Sequence, residues 1–340
     1  MALKMKQNER DVNRKMMSMV LAGDIGGTKT LLGVFDRLST RPRAIVIREF
    51  TTLDFSDLPS MIATFLESAR PTTGTIEVAG FGVAGPIVGD VAKLTNVPWS
   101  IDARRVAAAL ELPRVRLLND LQAMACAVPM LEASEVHTLQ EGVASSEGNI
   151  AVIAAGTGLG EALLHNINGQ FVPSASEGGH ADFAPRNDCE VVLLRDLTTR
   201  YGRASVEHVI SGPGLVNIHR VTHASACLAG VDLTAADAPA AISRAAADGR
   251  CPGCVAALDM FVDAYGAEAG NLALRALAIS GVFLGGGIAP KILPALSAGR
   301  FMQAFSAKAP MDALLARVPV KVILNPEAGL LGAAVFAARA

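Results

Sequence analysis

The amino-acid sequence predicts an α/β protein made of two similar domains, and three observations lead to that class. The first is a pair of glycine-rich turns, each set between short apolar runs: MVLAGDIGGTKTLLGVF at 19–35 and IAVIAAGTGLGEALLHN at 150–166. Glycine at a hairpin bend has no Cβ, so backbone N–H groups can converge on one point. With a Thr hydroxyl they make a nest suited to phosphate. One such turn marks an ordinary hairpin as readily as a binding site; two suggest a duplicated domain holding one polyphosphate between its halves. The second observation is length, since 340 residues exceed what one core usually organises. The third is composition: 51% hydrophobic, 18% charged and only 4% aromatic, so Ala, Val, Leu and Gly build the interior.

The elements follow in order from the apolar pattern. Strands are predicted over 19–24, 30–36 and 43–51, then a helix near 57–69. Strand 76–83 ends at GVAGP, and short apolar segments follow around 87–94. A helix covers 102–110, strand 115–118 runs into Asn119-Asp120, and the helix 121–128 stops at Pro129. This β-β-β-α-β-α order recurs loosely after the second hairpin. The second half is more helical, with helices over 188–201, 213–224, 235–248 and 254–278. Gly202 sits at a C′ position after the first of these, and Ser211 with Pro213 starts the second. Strand 282–284 ends in GGG, strand 320–324 follows, and a last apolar helix runs 328–338. No low-complexity tract separates the halves, which predicts a hinge near 125–140 rather than a linker. The resulting division is a disordered extension at 1–18, a small α/β domain at 19–125 completed by the C-terminal helix at 326–340, and a large α/β domain at 126–325.

Charge and hydropathy exclude several function classes. A net charge of −2 leaves no electrostatic footprint for nucleic acid or an anionic membrane. Mean hydropathy is +0.38, yet the apolar stretch 276–290 is interrupted by GGG and falls short of a bilayer crossing. The five cysteines, Cys126, Cys189, Cys227, Cys251 and Cys254, form no secreted disulfide framework. Only Cys251 and Cys254 stand in a CxxC arrangement, and no second pair or nearby His completes a zinc set. They are expected to be incidental thiols in a loop. The first eighteen residues carry Lys4, Lys6, Arg10, Arg14 and Lys15 without an apolar core, which argues against a signal peptide. Residues 1–16 are expected to be dispensable, and the compartment to be the cytoplasm.

Seven blocks occur together and in order: DIGGTKT (24–30), LLND (117–120), AAGTGLG (154–160), EGGH (177–180), ISGPGLVN (210–217), FLGGGI (283–288) and NPEAGLLGA (325–333). In this combination the chain resembles the bacterial glucokinases of the hexokinase–actin–Hsp70 ATPase superfamily, from residue 19 to 338. The resemblance implies duplicated RNase-H-like (actin-like ATPase) domains with a cleft between them. It also implies ATP and Mg²⁺, glucose as acceptor, transfer of the γ-phosphate to the 6-hydroxyl, and a homodimer.

Each block has a reading of its own beside the one the resemblance implies. Asp24 alone would be a tight-turn residue; the resemblance makes it the carboxylate that orients Mg²⁺-bound water. Gly26, Gly27 and Thr28 would surround the terminal phosphates, matched by Gly156, Thr157, Gly158 and Gly160 in the second turn. Lys29 would add a cation where many such glucokinases carry Asn. Asp120 alone reads as a helix N-cap. The resemblance makes it the base for the attacking hydroxyl, a role that needs hydrogen-bond reach more than an extreme pKa. Sugar recognition needs groups that pair with vicinal hydroxyls, and Asn119, Asp120, Glu177, His180 and Glu207 offer that set. The glycines of EGGH are expected to let backbone approach a ligand. Asn96 and Trp99 are expected to flank the cleft, with core packing an equal reading for the Trp. The nucleotide base, lacking a charged handle, is expected against main chain at Gly212, Gly214, Gly285, Gly286 and Gly287.

Two other readings stay open. One is another hexose or N-acylhexosamine kinase of the related repressor-kinase group, some members of which carry a zinc motif of closely spaced Cys and His that this sequence lacks. The other is a non-catalytic sugar-binding regulator, for which eighteen basic-leaning residues are too few to form a DNA-binding domain. Because phosphate turns and sugar ligands fall in both domains, glucose is expected to close them and assemble the site.

Overall fold

The computed structural model describes residues 17–37, 40–69, 74–94, 97–223 and 225–339. The chain divides into two compact units, Met1–Met130 with Glu327–Ala340, and Leu131–Pro326. No described helix is long and apolar enough to cross a membrane.

In the first unit, strands β1 (Met17–Ile25), β2 (Lys29–Asp36) and β3 (Arg43–Thr51) form an antiparallel meander, because short turns can join only antiparallel neighbours. Strands β4 (Gly74–Val83) and β8 (Val115–Asn119) join in parallel, giving the order β3-β2-β1-β4-β8. Between these lie a small three-stranded sheet of β5 (Ile87–Val88), β6 (Val91–Lys93) and β7 (Ser100–Asp102). Helix α1 (Leu58–Ala69) buries Leu58, Met61, Ile62 and Phe65, an i, i+3, i+4, i+7 stripe facing the sheet core. Helix α2 (Ala103–Ala109) is capped by Asp102, which accepts from Arg104 N–H at 2.8 Å. Trp99 packs among these residues in the core, while Asn96 lies outside the described residues. A second layer holds α3 (Asp120–Ala127) and the terminal helix Ala328–Ala338, whose sequence AGLLGAAVFAA is buried nearly all round. Their backbones meet closely: a Cβ on Gly332 would stand 1.6 Å from the Ala123 carbonyl oxygen.

The first strand begins earlier than the sequence suggests. Met17 and Ser18, assigned above to a disordered extension, pair with Gly74 and Thr75, and Ser18 Oγ donates to Glu77 Oε2 at 2.6 Å. Main-chain pairing needs no apolar side chain, so periodicity did not reveal it. Residues 1–16, the remainder of that extension, lie outside the described residues.

The second unit repeats the plan. Strands β10 (Ile150–Ala155), β11 (Leu159–Ile167) and β12 (Gln170–Ser176) make the meander, and β13 (Gly281–Gly285) and β14 (Val320–Ile323) add in parallel. An extra strand, β9 (Val136–Gln140), closes the far edge antiparallel, giving β12-β11-β10-β13-β14-β9. Sequence reading missed β9 and β12; β12 is an edge strand interrupted by Pro173, where a missing N–H is tolerated. Helices α4 (Asp188–Tyr201), α5 (Gly212–Thr222), α6 (Ala238–Ala247) and α7 (Pro252–Ala276) supply the core. Gly202 ends α4 at φ 78°, and Ser211 Oγ accepts from Gly214 N–H at 2.9 Å to start α5. The fully buried Tyr265 of α7 donates its hydroxyl to the Ile153 carbonyl at 3.2 Å, tying the helix to β10.

Candidate functional site

The candidate residues fall into two clusters, one in each unit, both at the carboxyl ends of parallel strands, where side chains and loops emerge from an α/β sheet.

In the first unit the cluster grows from the β1–β2 turn. Gly26 N–H donates to the Lys29 carbonyl at 3.0 Å, and a Cβ on Gly26 would come within 2.6 Å of that oxygen, so only glycine closes the turn this tightly. Thr52 braces it from outside, donating Oγ1–H to the Gly26 carbonyl at 2.8 Å while its N–H bonds the Thr28 carbonyl at 3.0 Å. Gly27 and Thr28 complete the turn, with Thr28 and Lys29 exposed; the Lys29 ammonium pairs with Glu49 at 2.7 Å. Asp24 precedes the turn on β1. Burial, and then the charge of Asp120, push its carboxyl up to about 6.

Asp120 opens α3 at the end of β8, on the far side of β4 from β1. The helix cap is Asn119, which accepts from Leu121 N–H at 3.0 Å and forms a capping box with Gln122. The N-cap reading of Asp120 therefore passes to its neighbour. Asp120 Oδ1 also accepts from Leu121 N–H, at 2.9 Å, which orients the carboxylate. Two glycines admit these groups: a Cβ on Gly82 would meet Ala123 Cβ at 2.8 Å beside the Asp120 Cα, and one on Gly329 would stand 2.6 Å from Asp24 Oδ2. Two like-charged carboxylates form a hard-oxygen donor set, which fits Mg²⁺.

In the second unit the β10–β11 turn comprises Gly156, Thr157 and Gly158, closed by Gly156 N–H on the Gly158 carbonyl at 2.8 Å. Gly160, expected in this turn, lies inside β11 paired with Ala154, because the turn is already complete at Gly158. Glu207 locks the turn from beneath: Oε2 accepts from Leu159 N–H at 2.8 Å, and a Cβ on Gly158 would collide with that oxygen at 2.5 Å. A Cβ on Gly156 would meet nothing within 4 Å, so this side of the turn is bare. Gly212 N–H donates to the Gly156 carbonyl at 2.8 Å, bringing the start of α5 to the turn. Gly285 ends β13 opposite Ala154, and Gly286 at φ 80° folds back so closely that a Cβ would stand 2.4 Å from the Ala155 carbonyl. Gly287 is open on its Cβ side. Gly214, by contrast, is buried against the Val209 carbonyl and serves helix packing.

Glu177, His180 and Glu207 also converge. His180 Nδ1 lies 3.6 Å from Glu177 Oε2, and Nε2 lies 4.0 Å from Glu207 Oε1. Glu207 stands in a turn, its N–H held by the Gly179 carbonyl at 2.9 Å. The two glycines of EGGH serve the fold, since a Cβ on Gly179 would meet the Leu159 carbonyl at 2.1 Å and one on Gly178 would meet the Glu161 carboxylate. Their close backbone approach is to β11. Sequence reading missed Glu161, a buried acid on β11, whose carboxyl burial and Glu268 push up to about 7. It also missed Thr52, whose only signal was a Thr just after the third strand.

Known proteins match this chain along almost its whole length. A family profile described as glucokinase matches residues 21–340. A glucokinase of Trichormus variabilis is 42% identical over 342 residues, covering 95% of this chain and all of that protein. The crystal structure of a glucokinase from an Antarctic psychrotroph superposes with a TM-score of 0.84 at 30% identity, covering 96% of this chain and 100% of that one. A glucokinase of the repressor-kinase group from Streptomyces griseus, solved with glucose and AMPPNP, shares the fold at a TM-score of 0.65 and 22% identity, covering 95% and 100% of the two chains.

Proposed function

Since the chain belongs to the glucokinase family and is thereby an ATP-dependent sugar kinase, we propose that it moves the γ-phosphate of ATP to the 6-hydroxyl of glucose with the residues described above. The observation that carries this reading is the Asp24–Asp120 pair at the ends of β1 and β8, where burial and then the charge of Asp120 raise the cost of charging Asp24. Asp120, oriented by the Leu121 N–H, accepts the proton of the attacking hydroxyl. Asn119, Glu177, His180 and Glu207 bind the sugar hydroxyls, with Glu207 Oε1 directed toward His180 and Oε2 retained by the turn. The amides of Gly27, Thr28, Thr157 and Gly158 receive the phosphates, while Gly26 and Gly156 close the two turns through their own N–H groups, and Gly212 with Gly285–Gly287 lies against the nucleotide.

Asp24 would hold Mg²⁺ through water, and the ion when bound neutralises phosphate charge. Phosphoryl transfer leans on positioning, which suits a site built from pinned turns. In this reading the functional domains are 19–125 with 326–340, and 126–325. The reading also includes a cytoplasmic homodimer, resting on family resemblance, to be tested by sedimentation equilibrium and cell fractionation. A coupled assay over a panel of sugars and of ATP, ADP and polyphosphate tests the activity. Glucose with ATP and Mg²⁺ is expected to be the preferred pair; turnover confined to N-acylhexosamines would overturn the reading.

A further inference from the structure

The cysteines and histidines of the second unit assemble into a cluster that linear spacing concealed. The end of α5 and the loop after it carry H-x3-H-x3-C at His219, His223 and Cys227; the start of α7 carries C-x2-C at Cys251 and Cys254. His223 Nε2 lies 3.3 Å from Cys251 Sγ and 4.0 Å from Cys254 Sγ. Cys227 Sγ lies 3.8 Å from Cys251 Sγ and 3.6 Å from Cys254 Sγ. Zinc binds Cys sulfur at about 2.3 Å and His nitrogen at about 2.0–2.1 Å, so the corners of such a tetrahedron stand roughly 3.5–3.8 Å apart. The four separations bracket that edge. The expectation that Cys251 and Cys254 are incidental loop thiols is thus corrected: the second pair of donors comes from the C-cap of α5 and the loop after it.

We propose that His223, Cys227, Cys251 and Cys254 bind a structural zinc ion. The ring of His223 is set for it. Its Nδ1 contacts the His219 carbonyl at 2.8 Å. A carbonyl only accepts, so Nδ1 carries the hydrogen, and in the neutral ring the Nε2 lone pair faces the thiols. A Cβ on Gly253 would stand 2.5 Å from Nε2, so glycine inside the C-x2-C turn lets the ring lie over it. Cys251 and Cys254 are buried, and the first caps the 25-residue helix α7. His219, 4% exposed, stacks on His223 with ring centroids 3.7 Å apart, and neither of its ring nitrogens has a hydrogen-bond partner. Its ligand atom lies within 4.8 Å of those of His223, Cys227 and Cys254, so it backs the site as a neutral ring.

Four protein donors leave no open position, which marks a structural rather than a catalytic metal. The ion would clip the end of α5 to the start of α7. The other end of α5 holds the phosphate turn through Gly212, so the clip steadies that helix from behind.

The test begins with the full wild-type chain, purified under reducing conditions without chelator, and its zinc content by mass spectrometry. About one zinc per chain is expected, with the sulfur-to-metal charge-transfer band of a thiolate-rich tetrahedral site after cobalt substitution. Stripping the metal should expose three further thiols to a thiol reagent and lower Tm, and added zinc should reverse both changes. Zinc content should fall tenfold or more in Cys227→Ser and Cys254→Ser, and stay unchanged in Cys189→Ser and His219→Phe. Metal-free wild-type protein that takes up no added zinc would overturn the site. So would a disulfide between Cys227 and either partner in the purified chain. Zinc lost in His219→Phe but kept in Cys251→Ser would overturn the ligand assignment.

Discussion

The two units share a five-strand order, to which the second adds β9, yet the residues beside their glycine turns differ. The β1–β2 turn is preceded by Asp24 and neighboured by Asp120, so it presents negative charge, and burial makes that charge costly. At the matching place before the β10–β11 turn stand Ala154 and Ala155, and Glu207 turns its Oε2 to the Leu159 amide. In the proposed function, the acids beside the first hairpin serve proton and cation chemistry, and the second hairpin lies beside the side chains that pair with sugar hydroxyls. The difference teaches that the repeated sheet supplies the place and single residues at strand ends supply the chemistry.

The sharpest way to break the comparison is at Asp120. Asp120→Asn should fold normally and lose about 10²-fold or more in turnover, the scale of a positioned base. Near-wild-type turnover with unchanged circular dichroism would reduce Asp120 to a helix-start residue. Gly332→Ala should destabilise the first unit by about 1–3 kcal/mol, because the new methyl must displace the Ala123 carbonyl, read as a lower urea midpoint. Gly156→Ala, where a methyl meets nothing, should leave that midpoint within about 0.5 kcal/mol while raising KM for ATP. Thr52→Val should cost about 1 kcal/mol by removing the brace on Gly26.

A pH dependence sharpens the same comparison. Asp24 binds its proton more tightly folded than unfolded, with a folded value of about 6 against 3.8. Its charged form therefore opposes folding, and the penalty develops as pH rises from 3.8 to about 6. Asp24→Asn should match the parent's stability near pH 4 and exceed it near pH 7, by urea unfolding. Equal stability at both would show that the carboxyl is not strained in the fold.

Much of this was legible in the chain. The turns at Gly26 and Gly156, the Ser211 cap and the helix over 328–338 are local patterns, and local patterns survive into the structure. What stayed hidden depends on residues far apart in sequence. Glu207 was read as a sugar ligand, and only the fold shows it also clamping the Gly158 turn. The glycines of EGGH look like loop residues until β11 is placed against them. Cys227 reaches Cys254 only because α5 and α7 pack together, and no linear spacing announces that.

The division of labour itself is tested most directly by measuring glucose affinity and single-turnover phosphoryl transfer separately in Asp120→Asn and His180→Ala. Titration calorimetry and rapid quench give the two quantities. Asp120→Asn should hold glucose within about threefold of the parent and slow transfer about 10²-fold, whereas His180→Ala should weaken glucose about tenfold and, at saturation, transfer at nearly the parent rate. Equal losses of affinity and rate in both variants, or the reverse assignment, would contradict the account.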